Sequence, residues 1–204
     1  MNKKTLGIIL GIIALLAGLA FIALGIQQMW QAKQGAGVLP KAQIEQAVSE
    51  SQKEIVSYEH PQTKLRMEVP KNWTLTPDEE GSGISFSLFG GAVNLRFVSD
   101  DFSKNEKQVT LEEYSQVLMA QGKDEAAKQS VTISPSSDGE ATVGGIPGHQ
   151  WQYTVSIGDV VGRGMQVWTV KNNRSYVFTY TAAKELFDAF TPVIQRMLTS
   201  IALP

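Results

Sequence analysis

The sequence predicts an α+β fold: an antiparallel sheet of about six or more strands covered by helices, preceded by a single N-terminal transmembrane helix. Three observations predict it. An uncharged run, TLGIILGIIALLAGLAFIALGI, fills residues 5–26. Gly158-Asp159 and Asn172-Asn173 read as two-residue hairpin turns between three strand-like runs. Two further segments, one opening at Thr110 and one near the C-terminus, repeat apolar residues at helical spacing.

At 1.5 Å of rise per residue the run 5–26 is long enough to cross a bilayer core of about 30 Å. A secretory signal carries a shorter apolar region ending in a small-x-small cleavage site. Here the best such site, Gly18-Leu19-Ala20, lies inside the run, so an uncleaved signal-anchor is expected. Lys3 and Lys4 precede the span and Lys33 is the first cation after it; positive flanks stay cytoplasmic. Residues 1–4 are therefore the cytoplasmic tip, and the rest of the chain is expected outside the cell membrane, periplasmic or at the cell surface. Trp30 suits the headgroup layer. Gly7, Gly11, Ala14, Gly18 and Gly25 share one helix face, which admits a homodimer contact. Glycine and alanine are common in spans anyway, and composition alone is the stronger explanation.

With 204 residues, of which roughly 150 follow the span and its linker, one domain with a real core is expected. A net charge of −2 with dispersed lysines leaves no basic stripe, which argues against nucleic acid as a partner. The absence of cysteine removes disulfides, thiolate metal sites and thiol nucleophiles. Asn72-Trp73-Thr74 and Asn173-Arg174-Ser175 match the glycosylation sequon, a short pattern read here as strand or turn.

Residues 27–53 are polar and rich in Gln, Ala and Gly, a linker with a short helix after Pro40 that carries Ile44, Ala47 and Val48 on one side. The folded domain is expected over 54–204. Ile55 to Tyr58, Leu65 to Val69 and Trp73 to Thr76 are short strands punctuated by His60-Pro61 and Pro70-Lys71-Asn72. Ile84, Phe86 and Leu88 alternate with serines, and Val93, Leu95 and Phe97 continue the alternation after Gly90-Gly91, a hairpin with one buried face. Thr110 and Glu113 form a capping box, Leu111, Tyr114, Val117 and Leu118 an apolar face, and Gly122 stands where the helix should end. Gln129 to Ile133 reads as a strand and Ser134 to Gly139 as a surface loop.

The meander His149 to Ile157, Val160 to Lys171 and Arg174 to Thr181 follows from its two turns, because Gly and Asn tolerate the positive φ such turns need. The register places Val155 opposite Gly162, Tyr153 opposite Gly164, Trp168 opposite Val177 and Val167 opposite Phe178. Apolar residues then fall on both faces of the middle strand, which needs cover on both sides. Leu186, Phe187, Phe190, Val193, Ile194, Met197 and Ile201 form the apolar side of a covering helix. Pro192 should kink or restart it, with Thr191 as the cap.

No catalytic signature is present. His60 precedes Pro61 in a turn and His149 opens a strand; isolated histidines are more often solvated than catalytic. Asp100 and Asp101, with Glu106 nearby, are candidate oxygen ligands for a hard cation, and His149 completes the set of candidate metal ligands, but the spacing matches no calcium loop. Asp78, Glu79 and Glu80 read as a solvated turn. Gly81-Ser82-Gly83 and Gly144-Gly145-Ile146-Pro147-Gly148 lack a phosphate-loop context and read as turns. No cofactor is expected.

The stretch YEHPQTKLRMEVPKNW, the later VGGIPGHQWQYTV, the strand SYVFTYTA, and a closing helix that begins ELFDAF and ends in Thr199-Ser200-Ile201 together resemble domains of the type of PsbP, the extrinsic subunit of photosystem II. The likeness runs from about Ile55 to Leu203. It implies an α/β/α sandwich, a fold shared with a nuclear Ran-binding protein and with bacterial envelope lipoproteins, whose members mostly bind or help assemble other proteins. The metal-binding residues of some members have no residue-by-residue match here, and the membrane span departs from the photosynthetic subunit. The expected function is a membrane-anchored extracytoplasmic interaction module, an assembly or envelope-maintenance factor whose partner is an unidentified membrane or envelope protein. The alternatives are a small-ligand carrier or sensor and, third, a metal-dependent hydrolase.

Overall fold

A computed structural model describes residues 39–78, 83–105, 107–128, 131–158 and 160–204. The expected span 5–26, its small-residue face and Trp30 lie outside them. Among the described residues no helix is long and apolar enough to cross a membrane.

Among the described residues there are three α-helices and nine strands: α1 (Lys41–Lys53), β1 (Ile55–Glu59), β2 (Arg66–Pro70), β3 (Thr74–Pro77), β4 (Gly83–Leu88), β5 (Val93–Val98), α2 (Leu111–Lys128), β6 (Thr132–Val143), β7 (Ile146–Ile157), β8 (Val160–Lys171), β9 (Arg174–Ala183) and α3 (Lys184–Thr199). β1 and β2 form a separate hairpin. The other strands build one antiparallel seven-stranded sheet in the order β3-β4-β5-β9-β8-β7-β6.

The meander pairs as its turns require. Asn172 and Asn173 adopt φ of 51° and 57°, and Gly158 one of 54°. Val155 faces Gly162, Tyr153 faces Gly164, Trp168 faces Val177 and Val167 faces Phe178. Apolar side chains on both faces of these strands are covered from both sides, in an α/β/α arrangement. On one face, Phe187 of α3 stacks on Tyr180 with ring centres 4.6 Å apart, and the Tyr180 hydroxyl donates to the Phe187 carbonyl at 3.0 Å. On the other, α2 packs on β6, β7 and β8.

Several sequence expectations are corrected. The short helix expected after Pro40 within the linker 27–53 is α1, and it packs on α3 and β2. The indole of Trp73 donates to Ser51 Oγ at 3.0 Å, so this helix is built into the domain. The capping box is formed, with Glu113 N–H donating to Thr110 Oγ1 and Thr110 N–H to Glu113 Oε2, both at 3.2 Å. However, α2 does not stop at Gly122. That glycine is buried, and a Cβ placed there would lie 3.5 Å from the Trp151 ring; the following KDEAAK, rich in good helix formers, carries the helix on to Lys128. Ser134 to Gly139 is not a loop but the exposed part of β6, whose pairing with β7 shifts register between Pro135 and Ser137. Its polarity reflects an edge strand, which natural sheets protect with charge, proline and bulges. Pro192 lies inside one continuous α3, and the Thr191 hydroxyl donates to the Phe187 carbonyl at 2.7 Å instead of capping a new helix. The β4–β5 hairpin is buried on both faces, because Ser85 and Arg96 are buried as well as Ile84, Phe86, Leu95 and Phe97.

Candidate functional site

The residues singled out by type are separated by the fold. Asp100 follows β5 and His149 lies in β7, with β9 and β8 between those strands. Among the described residues no group of three or more His, Asp or Glu is placed to hold a metal ion. His60 is buried, not solvated: its Nδ1 accepts from the Thr63 N–H at 3.2 Å, and its ring meets Phe97 edge-on at 5.3 Å. Burial lowers its pKa, against the pull of the nearby Asp78 charge. His149 Nε2 is hydrogen bonded to Asp138 across to the edge strand, and the imidazole lies 4.9 Å from the Trp168 ring.

Asp100 and Asp101 belong to a clasp between the segment before α2 and the β8–β9 turn. Asp100 N–H donates to Ser175 Oγ at 3.1 Å and Ser175 N–H to the Asp100 carbonyl at 2.9 Å. Asp101 pairs with Arg174. Asn173 accepts from the Val109 N–H at 2.9 Å, donates from its amide to the Phe102 carbonyl, and accepts at its own carbonyl from the Phe102 N–H at 2.8 Å. The sequon asparagine is thus committed to the fold. Burial pushes the Asp100 carboxyl up to about 7, although Ser175 and Arg174 oppose the shift. Hydrogen bonds from Ser103 hold Asp101 below the usual carboxylate range. Tyr114, buried from α2, is raised by burial and by the charge of Asp100.

The most unusual chemistry lies elsewhere, on the sheet face that α2 covers in part. Successive strand pairs align Thr76, Ser85, Arg96, Thr179, Gln166, Trp151 and Asp138 in one row across β3, β4, β5, β9, β8, β7 and β6. The next row runs Thr74, Ser87, Asn94, Thr181, Gly164, Tyr153 and Pro135. Directly paired residues share a face. Toward β7 these rows end in aromatic side chains beneath α2; toward β4 and β5 they are polar, and Ser85, Arg96, Thr179, Thr181 and Gln166 are all buried. Arg96 pairs with Asp78 at 2.5 Å, and Gln166 Nε2 donates to Thr179 Oγ1 at 3.2 Å. Sequence reasoning read the serines of β4 as solvent-facing. The alternation in β4 and β5 was the available signal, but only the pairing of β5 with β9 places its polar side inside the molecule.

At the opposite border two strand edges are unpaired among the described residues: β1 in its hairpin and β3 at the end of the large sheet. They present Val56 and Leu75, 41% and 40% exposed. Between them Tyr58 meets Phe86 edge-on at 5.4 Å, and Phe86 is the direct partner of Leu75.

This architecture is found in solved proteins. The cyanobacterial PsbP, CyanoP, from Synechocystis sp. PCC 6803 superposes with a TM-score of 0.58 at 15% identity, over 74% of this chain and 93% of that one. The chain has a PsbP-like fold. The Saccharomyces cerevisiae Ran-binding protein Mog1p shares the PsbP-like architecture, with a TM-score of 0.51 at 11% identity, over 74% of this chain and 95% of its own. No protein-family model and no curated protein matches the sequence.

Proposed function

We propose that this chain is a non-catalytic protein-interaction module, an assembly or envelope-maintenance factor, held at the outer face of the cell membrane by residues 5–26. The observation that carries the reading is that, among the described residues, the outer edges of β1 and β3 are unpaired, with Val56 and Leu75 exposed on them. A free edge offers main-chain donors and acceptors to a partner, and adjacent apolar side chains add contact area. The yeast protein of the same fold is a Ran-binding protein, which supports protein recognition on this scaffold. His60 is buried with its Nδ1 accepting from the Thr63 amide, which suits a structural role for that histidine.

The test is capture from the native membrane with the full chain in detergent, comparing wild type with Val56→Asp/Leu75→Asp. The reading expects a reproducible envelope or membrane protein bound by wild type and lost from the variant, while the variant unfolds at an unchanged temperature. Identical capture by both proteins would remove this edge from the function. A mature N-terminus beyond Ala20 in the native host would remove the tether.

A further inference from the structure

The two halves of α2 meet the sheet in different ways. The first half is fastened by specific contacts: the capping box closes its start, Ser115 Oγ accepts from the Trp168 indole at 2.8 Å, and the Tyr114 ring lies 5.7 Å from that of Phe102. At the second half the polar groups are mismatched. Gln121 comes three residues after the buried Leu118 and seven after the buried Tyr114, which puts it on the side of the helix that faces the sheet. Its Oε1 is buried without a hydrogen-bond partner, and so are the indole N–H of Trp151 and the hydroxyl of Tyr153, neighbours on β7 with ring centres 4.8 Å apart. Each such group has lost its water without compensation, and the Gln121 and Trp151 groups regain it when this part of the helix withdraws. The helix is also weak in itself at the same place. A Cβ at Gly122 would make ordinary contact with the Trp151 ring, at 3.5 and 3.9 Å, so alanine fits the space where the chain carries glycine, the poorest helix former after proline. One turn on, the buried Ala126 brings only a methyl group.

We propose that the C-terminal part of α2 is a cover that opens from the sheet as a unit, with Gln121-Gly122 as its hinge, and bares Trp151 while the N-terminal part of the helix stays in place. Two independent weaknesses, the unpartnered groups and the mid-helix glycine, set this segment at the low end of local stability, from which lids and other moving elements are drawn. The anchor is equally local: the Ser115–Trp168 bond and the capping box both lie before the hinge, so they survive its opening. Opening turns a closed sheet face into one that presents an aromatic ring with a hydrogen-bond donor at its tip. The cover lies on β7, at the far end of the strand order from β3, so Val56→Asp/Leu75→Asp should leave its opening unchanged.

The test is native-state hydrogen exchange of the full ¹⁵N-labelled chain in detergent, over a series of urea concentrations below the unfolding transition. The amides of residues 123–128 and the Trp151 indole N–H, assigned by its loss in Trp151→Phe, should share one protection factor, about tenfold or more below that of the β7 and β8 amides and nearly independent of urea. Gly122→Ala should raise that shared protection about fivefold through helix propensity. Gln121→Met, which keeps the propensity and removes the unpartnered amide oxygen, should raise it as well. Both substitutions favour the closed helix, so neither result is confused with a failure to fold. The proposal is overturned if residues 123–128 are protected as strongly as β7 and β8 with the same urea dependence, or if either variant leaves the protection unchanged. It is also overturned if the Trp151 indole keeps the protection of the sheet while residues 123–128 exchange, since that is fraying of a helix end and uncovers nothing.

Discussion

The indole N–H of Trp168 donates to Ser115 Oγ at 2.8 Å, tying the buried centre of the sheet to α2. Trp168 has no exposed surface, so Trp168→Ala removes both a large apolar volume and this link. Equilibrium urea unfolding of the variant should show a loss of about 3–5 kcal/mol. Ser115→Ala, which leaves the indole N–H buried without a partner, should cost about 1–3 kcal/mol. A Trp168→Ala protein as stable as wild type would contradict the register of the meander.

Gly164 is required by the tyrosine above it. A methyl group at this position would enter the Tyr153 ring, whose neighbours are themselves packed. Gly164→Ala should therefore destabilise by about 1–3 kcal/mol through overpacking. Gly139, where a Cβ meets nothing within 4 Å, is the control: its alanine variant should unfold at the wild-type denaturant concentration.

Asn173 fastens the segment preceding α2 to the β8–β9 turn while holding a φ of 57°. Asn173→Ala loses the side-chain bonds to Val109 and Phe102 and the asparagine tolerance for that conformation. Native-state hydrogen exchange should show the Val109 amide losing protection by an order of magnitude or more, with the β7 and β8 amides much less affected. Equal loss across the sheet would mean that this segment unfolds only with the whole domain.

Asp100 makes stability depend on pH. Burial pushes its carboxyl up to about 7 in the folded chain, well above the ordinary carboxylate value of 3.8, so the folded state holds the proton more tightly. The unfolded state therefore binds fewer protons between those values, and stability falls as pH rises from about 4 to about 7, then levels off. Asp100→Asn, which cannot ionise, should flatten that part of the profile and melt above wild type at pH 8. A wild-type profile without this decline, or one unchanged by the substitution, would show that Asp100 is ionised in the folded chain.

Among the described residues, α1 is part of the packed unit. A fragment over residues 39–204 should unfold in one cooperative transition, whereas one over 54–204 should melt lower, because it uncovers Trp73 and removes Ser51, the acceptor of its indole N–H. Equal midpoints for the two fragments would return residues 41–53 to the linker.

How much of this was legible depends on the range over which each signal acts. The Asn172-Asn173 and Gly158-Asp159 turns set the meander register directly, since positive φ at a two-residue turn leaves one pairing for the strands it joins. The capping box at Thr110 and Glu113 and the apolar side of α3 were equally readable, being patterns within a few residues of themselves. By contrast, the polarity of residues 134–139 looked like a loop because exposure on an edge strand and exposure in a loop select the same residue types.

The sequence by itself determined the α+β class, the meander with its register, and the two helix signals at Thr110 and Leu186, all through local conformational preference and periodicity. Only the tertiary structure decided that His60 is buried, that Asp100 meets Ser175 across 75 residues of chain, and that Ser85, Arg96, Thr179, Gln166 and Trp151 form one row inside the molecule. The reason is that alternation specifies two faces of a strand but not its neighbours; whether a polar face meets solvent or is buried depends on the pairing of β5 with β9, residues some eighty positions apart.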